Sequence, residues 1–222
     1  MRFSLIKDQL RLKVNIILTF VILIILAEPA TAHHPFGGET PDNFFEGFLS
    51  GLGHPIIGLD HFAFIVASGL LGTKFKQGFL IPIAFVIATM GGTGIHLQAI
   101  NLPYPEILIA VSVILFGSLL FIKNQPFFSS NISTILVTTL AIIAGVFHGY
   151  AYGEAIVGAE MNPLVAYLAG FTVIQLLVAF TAWGIATFIK QEFSNKFAYL
   201  LRMIGLGITS IGFVFFGFAL SI

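Results

Sequence analysis

The chain has 222 residues, 57% of them hydrophobic and only 9% charged, with no cysteine and a formal net charge of zero. A soluble domain carries charge on about a quarter of its residues, so this composition excludes one and points to an all-α polytopic membrane protein. The missing cysteines exclude disulfides and thiolate metal sites; any metal must be held by His, carboxylate, backbone or water, which suits Ni, Co and Zn better than Cu(I).

Residues 1–32 read as a cleaved N-terminal signal peptide, leaving residues 33–222 as one transmembrane domain. Arg2, Lys7, Arg11 and Lys13 form a basic start, Val14 to Ala27 an apolar stretch, and Ala30-Thr31-Ala32 a cleavage site. Cleavage there would begin the mature chain at His33-His34, an amine beside two imidazoles and hence a metal-binding candidate. Residues 43–53, with Phe44, Phe45, Phe48, Leu49 and Leu52 at helical spacing, read as an interfacial helix or the outer turn of the first span. Six apolar segments follow at roughly 54–72, 78–97, 105–122, 133–153, 162–189 and 197–221. Each is about 18–28 residues, enough for a hydrocarbon core about 30 Å thick.

The basic residues orient this layout. With the mature N-terminus outside, Lys74, Lys76, Lys123, Lys190, Lys196 and Arg202 all fall on the inner side, as the positive-inside rule requires. The C-terminus then also lies outside, in a cytoplasmic (inner) membrane. Glu39, Asp42, Glu46, Glu106, Glu154 and Glu160 map to the outer face, where a vestibule of negative charge attracts cations.

Every histidine falls on that outer half. His54-Pro55-Ile56-Ile57-Gly58-Leu59-Asp60-His61 puts two imidazoles and a carboxylate into an apolar segment, where ionisable groups are expensive and mark function. At 1.5 Å per residue, Asp60 and His61 lie about 10 Å below the outer surface and His148 about 7 Å, so one site can use all three. On a regular helix His54 and His61 would share a face, although Pro55 and Gly58 weaken the helix between them. Gly145, Gly149 and Gly153 form a small-residue face for close helix approach beside His148 and Tyr152. His96 ends the second span, Glu106 opens the third, and Gln175 is polar at mid-membrane. Trp183, the tyrosines and most of the 25 phenylalanines read as lipid-facing or interfacial.

These blocks resemble a known family. His54-Pro55-x-x-Gly58-x-Asp60-His61 is similar to the His-x5-Asp-His signature of the HupE/UreJ proteins, membrane proteins associated with hydrogenase and urease maturation. Leu102-Pro103-x-x-Glu106-x-x-Ile109-Ala110-x-Ser112-Val113 and Phe147-His148-Gly149-Tyr150-Ala151 resemble that family's second and third blocks. The third departs from the family's pattern: Tyr152-Gly153-Glu154 stands where His-Gly-x-Glu is common, so the second histidine is missing and the acid is displaced by one. The resemblance implies a secondary permease or facilitator for Ni²⁺, with Co²⁺ as an alternative ion, and a metal site at His54, Asp60, His61, Glu106 and His148. His33, His34, His96 and Glu154 are secondary candidates.

The expected partners are the metal ion and the lipid bilayer. Nucleic acid is not among them, a homo-oligomer is compatible with the sequence, and no prosthetic group is required. Inward passage along a glycine-lined path would be driven by the membrane potential, about 4.6 kcal/mol per 100 mV for a dication. Uptake should fall below about pH 6.5, because imidazoles bind metals in the neutral form. Two rivals compete: an intramembrane Zn²⁺-dependent hydrolase using Ser50, Ser68 or Ser112 beside the histidines, and an accessory protein that binds metal without moving it. H-E-x-x-H is absent, which weighs against the hydrolase.

Overall fold

The computed structural model describes residues 40–123 and 125–221, and every regular element among them is helical. The signal-peptide assignment, His33, His34 and Glu39 lie outside the described residues. Eight helices follow in order: α1 (Phe44–Ile57), α2 (Leu59–Gly72), α3 (Leu80–Leu97), α4 (Pro105–Leu119), the short α5 (Gln125–Ser129), α6 (Asn131–Glu154), α7 (Met161–Glu192) and α8 (Ser194–Ala219).

The first expected span is not one regular helix. α1 begins at a cap, with the Asn43 side chain accepting from the Glu46 amide at 3.0 Å, and it ends at Gly58, whose backbone is extended. There the chain bends by 79° into α2. Pro55 supplies no amide hydrogen, and Gly58 sits under the ring of His61: a Cβ at that position would lie 2.6 Å from the ring's Cδ2. His54 and His61 therefore do not share a helix face; they flank a break.

Among the described residues, α3, α6, α7 and residues Lys196–Ala219 are long and apolar enough to cross a membrane, and the bent α1–α2 pair makes five if counted as one. The expected third span is a helix of 15 residues, about 22 Å long against a core of about 30 Å. A count of six regular spans is thus more uniform than the fold itself.

α2 is the axis. It touches α1, α3, α4, α7 and α8, and Phe64, Ala67 and Leu71 are fully buried, as expected of a helix that is apolar all round. Around it the helices pack in close pairs. A Cβ on Gly149 would collide with the Thr89 carbonyl and one on Gly92 with the Val146 carbonyl, so α3 and α6 approach backbone to backbone. Thr93 Oγ1 ties them further by donating to the Gly149 carbonyl at 2.8 Å. α1 lies on α7 in the same way through Gly51 and Gly170, and α4 lies on α8.

Candidate metal site

The helix break positions the site. His54, at the last turn of α1, and Asp60 and His61, in the first turn of α2, are all at least 94% buried (6%, 3% and 6% exposed). The Asp60 carboxylate accepts from the His61 amide at 2.8 Å, which settles a negative charge on the N-terminus of α2. From α6, His148 is fully buried and meets His61 with the two Nδ1 atoms 2.8 Å apart. Two of the histidines expected to share a site are thus brought into direct contact from different helices.

The protons in this contact follow from the hydroxyls around it. Ser112 Oγ donates its only hydrogen to the Ile109 carbonyl at 2.7 Å, so at 3.0 Å from His148 Nε2 it must accept. Neutral His148 then carries its proton on Nε2, and its Nδ1 accepts from His61 Nδ1–H. The same logic fixes His54: Tyr167 donates its hydroxyl to the Tyr152 carbonyl at 2.8 Å and accepts from His54 Nδ1–H at 3.1 Å. The Tyr152 ring stands beside both, with centroids 5.1 Å from His54 and 4.8 Å from His61.

Below His148, among the described residues, aromatic rings rather than glycines lie against the imidazole. The rings of Phe64, Phe85 and Phe116 form a plug, with Phe64 4.5 Å from Phe85 and 4.4 Å from Phe116 between centroids. Phe64 and Phe85 also cover the imidazole, at 4.8 and 5.3 Å. Gly92 of α3 and Gly145 and Gly149 of α6 face the partner helix's backbone instead. Gln175, expected to line a path, is fully buried and bonds the Phe171 carbonyl at 2.9 Å.

The remaining candidates stand apart from the pair. Glu106 is exposed in the first turn of α4; Asp60 and Glu154 are near enough for their charges to act on it, so three acids gather at this end of the bundle. His96 packs on Tyr150, ring centroids 4.5 Å apart, against Gly153. Tyr150 is two residues from His148, about 200° around α6, so His96 belongs to another face. Among the described residues no group of three or more His, Asp or Glu is arranged to hold a metal; the structure shows a pair with oriented neighbours. Tyr152 and Tyr167 are fully buried at the site, contrary to the interfacial role expected of the tyrosines, although Tyr104 and Tyr199 are exposed.

Comparison with known proteins places the chain in a family. The protein-family model described as HupE / UreJ protein matches residues 21–215. The chain belongs to the HupE/UreJ family. It is 31% identical over 167 residues to Protein HupE of Rhizobium leguminosarum bv. viciae, covering 74% of this chain and 81% of that protein. No solved structure matches it. HupE/UreJ proteins are accessory or transport membrane proteins associated with hydrogenase and urease, not enzymes, so the hydrolase alternative falls. Ser112, its nearest hydroxyl to the imidazoles, is occupied in orienting His148.

That role makes a prediction. Ser112→Ala removes the acceptor for His148 Nε2–H while leaving both imidazoles in place. Loss of such an orienting partner lowers metal affinity by about 10–100-fold. Calorimetric titration of the purified protein with Ni²⁺ should show the weakening with little change in melting temperature.

Proposed function

We propose that this protein is a secondary permease or facilitator for a divalent transition-metal cation, Ni²⁺ first and Co²⁺ second, supplying hydrogenase or urease. It would sit in the inner membrane with six crossings, α4 serving as a short one, and with both mature termini outside. Six cations at one end of the bundle, with Glu192 beside them, and Asp42, Glu46, Glu106, Glu154 and Glu160 at the other support that orientation.

The observation that carries the reading is the His61–His148 pair. Two nitrogens 2.8 Å apart are close to what a cation needs. With metal–nitrogen bonds of about 2.1 Å, cis ligands at 90° stand about 3.0 Å apart and tetrahedral ligands about 3.4 Å. The pair therefore fits an octahedral or square-planar ion with less movement than a tetrahedral one, which favours Ni²⁺ over Zn²⁺. The acids at the mouth would gather the ion, Asp60 would offset its charge, and His54 would hand it to the pair.

Binding between the two Nδ1 atoms displaces the hydrogen that joins them, so cation entry releases a proton. Acid opposes it twice: protonated imidazoles lose their lone pairs, and two Nδ1–H groups would meet head-on. Uptake of radiolabelled Ni²⁺ into liposomes carrying the protein should be saturable and inhibited by Co²⁺. It should fall several-fold as external pH drops from about 7.5 to 5.5. Uptake equal to that of empty liposomes would refute the permease.

The phenylalanine plug favours one second reading, a protein that binds metal without moving it. Such a protein would bind Ni²⁺ with the same proton release and show no uptake.

A further inference from the structure

At the end of the bundle opposite the imidazoles, the α2–α3 turn, the α4–α5 link, the end of α7 and the start of α8 enclose a cavity of about 310 Å³. Lys74, Lys123, Lys190 and Arg202 line it, with no carboxylate among the lining residues. Backbone carbonyls, and for Lys74 an aromatic ring, hold two of these cations inward. Lys74 Nζ donates to the carbonyls of Leu119 at 3.0 Å and Ile122 at 2.7 Å and lies 3.9 Å from the centre of the Phe128 ring. Lys190 Nζ donates to the Thr73 carbonyl at 2.9 Å.

Carbonyl dipoles and an aromatic face offset an ammonium charge only in part, so net positive charge remains. The Lys74 ammonium is pushed down to about 8, first by burial and then by repulsion from Arg202. The other walls are apolar, chiefly Phe121, Phe128, Phe197 and Leu201. A small soluble anion would use the cations and leave those walls idle. An amphiphile with an anionic head uses both, and a basic recess between membrane helices is where such heads settle.

We propose that this cavity binds a phosphate group, that of an anionic phospholipid in the leaflet at the basic end. The phosphodiester would sit among Lys123, Lys190 and Arg202 with Lys74 behind it, and the acyl chains would run up the apolar walls. The site is separate from the imidazole pair, and its existence does not depend on transport.

Native mass spectrometry of the full protein, exchanged into detergent with equal phosphatidylglycerol and phosphatidylcholine, tests it. One phosphatidylglycerol should be retained, at least about fivefold over phosphatidylcholine. Lys123→Gln with Arg202→Gln should abolish that preference. Lys76→Gln with Lys196→Gln removes the same charge outside the cavity lining and should keep it. Unaltered Ni²⁺ affinity would show that the first pair still folds, and Lys123→Gln alone, at an exposed position, should weaken retention partially. Inorganic phosphate separates the two sources of the anion: displacement of the lipid at about 10 mM would confirm the phosphate chemistry with the free ion as an occupant, and persistence would confirm the lipid. Equal retention of both lipids, or equal loss in both double variants, would overturn the proposal.

Discussion

His61→Ala and His148→Ala should each abolish saturable Ni²⁺ uptake, reducing it by about 100-fold or more, which corresponds to about 2.7 kcal/mol of lost stabilisation. Each substitution removes one member of the pair and with it the contact between the two Nδ1 atoms. The combined variant should be scarcely worse than either alone. Groups that act as a unit show this non-additivity, whereas independent ligands would give multiplied losses. His96→Ala is the matched comparison: its ring packs on Tyr150 rather than on the pair, and uptake should stay within about twofold of wild type.

Gly149→Val should prevent assembly of the bundle. A Cβ there collides with the Thr89 backbone, and neither α3 nor α6 can yield without separating. Overpacking against side chains typically destabilises by about 1–3 kcal/mol; against backbone the upper end or beyond is expected. Size-exclusion chromatography in mild detergent should show loss of the monodisperse species. Gly94→Ala, a few residues along α3, meets nothing within 4 Å and gains helix propensity of about 1 kcal/mol. It should leave the protein at least as stable as wild type.

Much of the arrangement was legible in the chain. The small-residue face at Gly145, Gly149 and Gly153 pointed to close approach, and all three glycines are in tight contact with α3. The depth match between His61 and His148 pointed to a meeting that the structure shows. The bend was not legible: Pro55 and Gly58 signal a weak helix, but periodicity carries no angle, and a turn of 79° is set by α2 packing at the centre of the bundle. Nor was the burial of Tyr152 and Tyr167. In a helix that is apolar on every side no amphipathic pattern separates lipid-facing rings from interior ones. Their hydrogen bonds become visible only when α1, α6 and α7 are placed together. Ser112 stood out as a hydroxyl among apolar residues, while its part in setting the tautomer of His148 depends on the carbonyl of Ile109 one turn back.

The departure Tyr152-Gly153-Glu154 also acquires a physical sense. The fourth residue after His148 is a tyrosine whose ring sits against both His54 and His61, so an aromatic wall stands where another imidazole could have been. Its hydroxyl is buried without a hydrogen-bond partner among the described residues.

The most direct measurement is X-ray absorption at the nickel edge of the metal-loaded protein, wild type against His148→Ala. The wild-type site should show at least two imidazole ligands in a non-tetrahedral geometry, one of which disappears in the variant. An identical spectrum in the two proteins would place the ion elsewhere and contradict the claim that imidazoles from separate helices hold it.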